Sequence, residues 1–100
     1  MQILAEQIQQ DLKVTQNTVL TETVYGTITV TSNNSLELYG NLIGDLYLEP
    51  STEAILYSMV KGNIYNQGGH LRIEGVVKGS VYRQQGHTVL SPQAMVEHLV

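Results

Sequence analysis

The sequence predicts an all-β fold, a single-stranded triangular β-solenoid of about five coils of 17–18 residues with short terminal caps. Three observations predict it: an internal repeat, an alternation of apolar and polar residues within each copy, and a glycine at one fixed place in four copies. A chain of 100 residues fits one small domain, so residues 1–100 are treated as a single β-helix domain.

The repeat is clearest at four glycines that are 18, 18 and 17 residues apart: Gly26, Gly44, Gly62 and Gly79. Aliphatic residues recur two positions before, two positions after and six positions before each of these glycines. The three columns are Val24, Leu42, Val60 and Val77; Ile28, Leu46, Ile64 and Val81; and Leu20, Leu38, Leu56 and Ile73. Residues at spacing two share one face of a strand, whereas on a helix they would be scattered around the axis. Stacking the copies as parallel strands turns the columns into an aliphatic core.

The repeat coils extend over residues 18–90, and residues 1–17 lack the repeat glycine. These first residues are interpreted as an N-terminal cap or a first partial coil. Their aliphatic residues stand four apart: Leu4, Ile8 and Leu12. Spacing four suits a short amphipathic helix, and a strand that begins at Ile3 is the alternative.

The C-terminal residues 91–100 also lack the glycine and are interpreted as a cap or a partial coil. A weaker fifth copy leads into them, with Thr88, Leu90 and Ala94 in the repeat register. Both ends of a solenoid expose unpaired strand edges and apolar columns. Each terminus is therefore expected to be a cap or a docking surface.

The glycines are interpreted as structural. Gly40 and Gly75 lie four positions before repeat glycines, at or near corners, where glycine tolerates a tight bend or a close backbone approach. A glycine loop that binds phosphate would lead into a helix N-terminus, and no helical pattern follows these glycines.

A second corner places two histidines in register. It reads NQGGHL at 66–71 and RQQGHT at 83–88, which aligns His70 with His87 and, one coil earlier, with Glu53. Two imidazoles on adjacent coils could share a metal ion, or they could be a corner residue repeated with the coil. No third and fourth ligand is evident, so we predict no metal site, no cofactor-binding residue and no catalytic residue.

Two outward ladders of tyrosine follow from the alternation. Tyr47, Tyr65 and Tyr82 stand three positions after the repeat glycine, and Tyr39 and Tyr57 stand five positions before it. Stacked aromatic residues stabilise sheets, and tyrosine is also enriched in protein interfaces. Both interpretations stay open, and these five residues are the predicted interaction surface.

Composition argues against several classes of function. The net charge is −4 with only five basic residues, too few for a nucleic-acid interface. There is no cysteine for a disulfide or a thiolate zinc site. We expect a cytoplasmic protein with no membrane span, because no long apolar run or secretory signal is found. No Ser–His–Asp order, paired-carboxylate motif or phosphate loop stands out, so we predict that the protein is not an enzyme.

Three copies carry a resemblance to a known family: LELYGNLIGDL at 36–46, AILYSMVKGNI at 54–64 and LRIEGVVKGSV at 71–81. The first and third copies have two glycines four apart, the second has Ser58 in place of the first glycine, and all three have flanking aliphatics. In these features most of residues 18–90 resemble the bactofilins. The resemblance implies a right-handed triangular β-helix that polymerises end to end, without nucleotide, into bacterial scaffold filaments. We therefore expect a structural scaffold that associates with itself. The alternative is a small protein-binding module, of the immunity or inhibitor type, that uses the tyrosine face.

Overall fold

The computed structural model describes all 100 residues and contains strands but no helix. Its strands are β1 (Gln2–Leu4), β2 (Leu12–Val14), β3 (Thr18–Leu20), β4 (Val24–Tyr25), β5 (Ile28–Val30), β6 (Ser35–Leu38), β7 (Leu42–Ile43), β8 (Leu46–Leu48), β9 (Glu53–Leu56), β10 (Met59–Lys61), β11 (Ile64–Ile73), β12 (Val76–Leu90) and β13 (Met95–Leu99). All of them join one sheet through parallel pairs, which wind into a β-solenoid of about five turns. The predicted fold class is confirmed; the right-handed winding, implied by the resemblance alone, stays a prediction.

Successive turns stack strand on strand along three faces. Face A stacks β1, β3, β6, β9, residues 70–73 of β11 and residues 87–90 of β12. Face B stacks Ile8, β4, β7, β10, residues 76–78 of β12 and residues 95–96 of β13. Face C stacks β2, β5, β8, residues 64–66 of β11, residues 81–83 of β12 and Leu99 of β13. Each face therefore consists of stacked layers, one from each coil, and the layers are numbered here from the N-terminus. Equivalent positions of the repeat lie above one another.

The predicted aliphatic columns form the core. Eighteen buried hydrophobic side chains make one cluster along the solenoid axis. Burial is complete in the column two positions after the repeat glycine. Its four members are all 0% exposed: Ile28, Leu46, Ile64 and Val81. Since each fully buried aliphatic side chain contributes roughly 1.5–3 kcal/mol, the columns are the main source of stability in a chain with few aromatic residues.

The first coil corrects one expectation. β1 pairs in register with β3, Ile8 bridges to Val24, and β2 pairs with β5. The helix alternative for residues 1–17 is therefore wrong, and the strand alternative describes them. Positions six before, two before and two after the repeat glycine are four apart in every coil. Leu4, Ile8 and Leu12 occupy those positions and so imitate one face of a helix.

The first coil lacks a glycine for a physical reason. A Cβ atom added to Gly26 would lie 2.6 Å from the carbonyl oxygen of Gln10. The relation repeats along the stack, because Cβ atoms on Gly44 and Gly62 would overlap the carbonyl groups of Gly26 and Gly44. Each glycine makes room for the coil before it. Gln10 has no coil before it in this structure, so a side chain fits there.

The last coil is also built from strand. β13 pairs with β12 through Val76 with Met95 and Val77 with Val96, and a register shift then aligns Val81 with Leu99. Residues 95–99 therefore continue faces B and C as a partial coil. The fold contains no helix long and apolar enough to cross a membrane.

Candidate interaction surface

The tyrosine ladder of face C is continuous over three layers. Tyr47, Tyr65 and Tyr82 are register partners in adjacent coils. The ring centroids are 4.6 Å apart between Tyr47 and Tyr65 and 5.0 Å apart between Tyr65 and Tyr82, with interplanar angles of 8° and 9°. Strands that lie about 4.8 Å apart hold the rings at a stacking distance. The three rings are half-buried, so what they offer to a partner is a row of ring edges and hydroxyl groups.

The middle ring of this ladder should contribute most to stability. Tyr65 stacks on two neighbours and Tyr82 on one, and each aromatic pair is worth about 0.5–1.5 kcal/mol beyond its buried area. Replacing Tyr65 with serine is therefore expected to lower the free energy of unfolding by about 1–3 kcal/mol, and Tyr82→Ser by roughly half as much. Urea unfolding of the two variants checks this. Equal losses would contradict a stabilising role for the stack.

A second aromatic pair lies at the edge of face A. Tyr39 and Tyr57 follow β6 and β9, and their rings stack with centroids 4.4 Å apart and an interplanar angle of 6°. Desolvation in the stack raises the pKa of the Tyr57 phenol above its ordinary value, and Tyr39 and the carboxylates of Glu37 and Glu74 raise it further.

The predicted histidine pair is also brought together. The rings of His70 and His87 have centroids 5.0 Å apart and an interplanar angle of 26°, and Glu53 is the register partner of His70. Two imidazole nitrogens that share a zinc ion must lie within roughly 4 Å of each other, because each Zn–N bond is about 2.0–2.1 Å. Stacked rings do not favour that approach. No group of three or more His, Cys, Asp or Glu side chains is placed to hold a metal ion.

Asn66 organises the histidine corner, and the sequence interpretation missed it. Its side chain is 0% exposed and follows three aliphatic residues in an inward column: Val14, Val30 and Leu48. Its Oδ1 accepts hydrogen bonds from the backbone nitrogens of Gly68 and Gly69, at 3.2 and 2.8 Å. Its Nδ2 donates to the carbonyl oxygens of Gly69 and His87 and to Oγ1 of Thr88. An asparagine in an aliphatic column was the signal that the sequence did carry.

Exposed apolar side chains are concentrated at the two ends of the stack. Apart from three tyrosines, every exposed large hydrophobic residue lies in the first or the last layer. These residues are Met1 and Ile3 in the first layer, and Val89, Leu90, Met95, Leu99 and Val100 in the last. The partly buried Leu4, Ile8, Leu12, Ala94 and Val96 close the core at the same two ends. The sides of the solenoid expose far less aliphatic surface.

Together these observations define the class of protein: a parallel β-helix with side-chain ladders along its faces and apolar ends. Comparison with models of protein families, with curated proteins and with solved structures found no match.

Proposed function

We propose that this protein is a non-enzymatic, cytoplasmic structural scaffold that associates with itself end to end, as its resemblance to the bactofilins implies. One observation carries the proposal: the exposed aliphatic side chains lie at the two ends of the solenoid. On face A, β1 and residues 88–90 of β12 are the outermost strands, so each has a row of backbone N–H and C=O groups without a strand partner. A second copy would pair with these edges and cover the open core.

Contact between unlike ends fits the columns and the charges best. Stacking β1 of one copy on residues 88–90 of another would set Ile3 against Val89 and Leu4 against Leu90, which continues the existing register on face A. The first two coils contain three acidic residues and one lysine, whereas residues 71–100 contain three basic residues and two acidic ones. Unlike ends therefore attract and like ends repel. A contact of this kind does not close and builds an open filament.

Lysine at the C-terminal end should weaken this association. We expect the double variant Met95→Lys and Leu99→Lys to weaken it at least tenfold, about 1.4 kcal/mol, because two charges would have to be desolvated against apolar columns. Both side chains are well exposed, at 67% and 42%, so the fold should tolerate the change. Sedimentation equilibrium and electron microscopy over a range of concentrations provide the measurement.

Tyr25→Lys is the matched control. Tyr25 is 45% exposed, a fraction similar to the 42% of Leu99, but it lies on the side of the solenoid in face B. This variant should associate like the unmodified protein. A protein that is monomeric at every concentration, or a C-terminal variant that associates unchanged, would contradict the proposal.

The second candidate function is the protein-binding module. The continuous stack of Tyr47, Tyr65 and Tyr82 favours it, because it presents aromatic edges and hydroxyl groups on a rigid face. A strictly monomeric protein in the concentration series would favour this function over the scaffold. In that case, the partner's binding should depend on these three tyrosines rather than on the two ends.

A further inference from the structure

The middle of face A carries one outward residue in each layer. Register pairing places these residues directly above one another, from the first layer to the last. The central column is Ile3, Val19, Glu37, Ile55, Arg72 and Val89. From Val19 to Val89 this column alternates between aliphatic and charged side chains along the axis, and no other column of the face does so.

The central column is complementary to the same column of a second molecule whose solenoid axis points the opposite way. Ile55 is flanked by Glu37 on one side and Arg72 on the other, and the next residues outward are Val19 and Val89. We propose that face A is a lateral docking surface for a second copy of this chain, packed antiparallel. In this arrangement a two-fold axis lies in the interface, between the Ile55 residues of the two molecules, and runs parallel to the strands. Each Glu37 then meets Arg72 of the second copy, and the aliphatic residues meet one another.

A parallel arrangement is disfavoured by the same column. If the two solenoid axes point in the same direction, each layer faces the equivalent layer of the second molecule. Glu37 would then meet Glu37, and Arg72 would meet Arg72. Like charges opposed across an interface repel, whereas the antiparallel pair makes two attractive contacts. The charges therefore favour the antiparallel direction of the second molecule, and Ile55, Val19 and Val89 supply the apolar contact.

Both charged groups are available for this contact. Glu37 makes no hydrogen bond and no ion pair within the chain, and it lies one layer below Ile55. The side chain of Arg72 is 59% exposed. Its Nε contacts Glu74 Oε2, which leaves the terminal guanidinium N–H groups to bind a second carboxylate.

The edges of the face are compatible with the same two-fold axis. Along one edge, Tyr57 would face Tyr57 of the second copy, and Tyr39 would face Glu74, so that a phenol can donate to a carboxylate. Along the other edge, His70 would face Ser35. Glu53 would face Glu53 of the second molecule, which is the one contact between like charges. Because Glu53 is exposed to solvent, salt screens this repulsion.

The size of the face predicts a weak pair. Overall extents of 30, 24 and 21 Å allow roughly 500–700 Å² for each face, so a pair buries about 1,000–1,400 Å², near the lower limit for a specific interface. Single molecules should therefore pair only at high concentration. Where the proposed end-to-end association occurs, repeated faces act together and the same contact becomes strong.

Charge exchange tests the proposal in protein whose ends are blocked by Met95→Lys and Leu99→Lys, so that only lateral pairing is measured. Glu37→Arg alone and Arg72→Glu alone should each raise the dissociation constant of the dimer at least about tenfold, because both attractive contacts become repulsive. The double exchange Glu37→Arg with Arg72→Glu should restore the dimer. Sedimentation equilibrium at low salt reports the constants, and thermal unfolding confirms that each variant is folded.

Matched controls reverse charges outside the face. Glu22→Arg and Lys61→Glu should leave the dimer unchanged, because both side chains are exposed and lie outside the central column. Failure of the double exchange to restore the dimer, or equal losses in the controls, would overturn the proposal. The absence of a dimer in the end-blocked protein at millimolar concentration would overturn it too. None of these results bears on end-to-end association, which is read from filament length in protein with native ends.

Cross-linking tests the direction independently. The chain has no cysteine, so Val19→Cys and Val89→Cys each introduce a single thiol. Faces packed about 10 Å apart are within reach of a short bifunctional thiol reagent. In the end-blocked protein, an antiparallel pair should link position 19 of one copy to position 89 of the other when the two variants are mixed. Links between like positions only would show a parallel pair and overturn the proposal.

Discussion

Gly62→Ala is expected to destabilise the solenoid by about 3–5 kcal/mol, a large part of the 5–15 kcal/mol that stabilises a typical domain. The added methyl group would overlap the carbonyl group of Gly44 in the coil before it. That carbonyl is backbone and cannot rotate away, so two coils would have to separate. Gly62 also has φ of +157°, a conformation that residues with a Cβ atom rarely adopt. Overpacking and backbone strain therefore add.

Urea unfolding followed by circular dichroism measures this loss. Lys61→Ala is the matched control, because it makes the change to alanine at the adjacent residue, whose exposed side chain has no hydrogen-bond partner. The control should stay within about 0.5 kcal/mol of the unmodified protein. A Gly62→Ala variant of near-normal stability would mean that the coils are not held as closely as the structure has them.

Asn66→Leu is expected to lower stability by about 2–5 kcal/mol, although leucine would continue the column of Val14, Val30 and Leu48. The substitution leaves the backbone nitrogens of Gly68 and Gly69 without their acceptor, and it removes the donor to the His87 carbonyl. Each buried group that loses its partner costs about 1–3 kcal/mol, which exceeds what an extra aliphatic contact returns.

The neighbouring Gln67→Leu is the control for this variant, since Gln67 is exposed and its side chain makes no hydrogen bond within the chain. Thermal unfolding should separate the two, with a lower midpoint for Asn66→Leu alone. Hydrogen exchange should also accelerate at the amides of Gly68 and Gly69. An Asn66→Leu variant as stable as the unmodified protein would show that the corner is satisfied in another way.

The repeat was readable from sequence because each position in a stacked coil meets its own equivalent. The aliphatic columns, the tyrosine ladder and the alignment of His70 with His87 all follow from a period of 17 or 18 residues. The same logic failed at the first coil. In this structure no coil stacks before Gln10, so a side chain fits there, and Leu4, Ile8 and Leu12 have a spacing shared by helices and by this repeat.

The sequence by itself determined two things in the repeat coils of residues 18–90. Alternation at spacing two showed which residues point inward, and the repeat of 17 or 18 residues set the stacking register. Tertiary structure decided what depends on groups from different coils. It placed Asn66 among backbone groups of residues 68, 69 and 87. It also gathered the exposed aliphatic residues at the two ends. These features come from the winding of the chain, because it brings together groups that no short window of sequence contains.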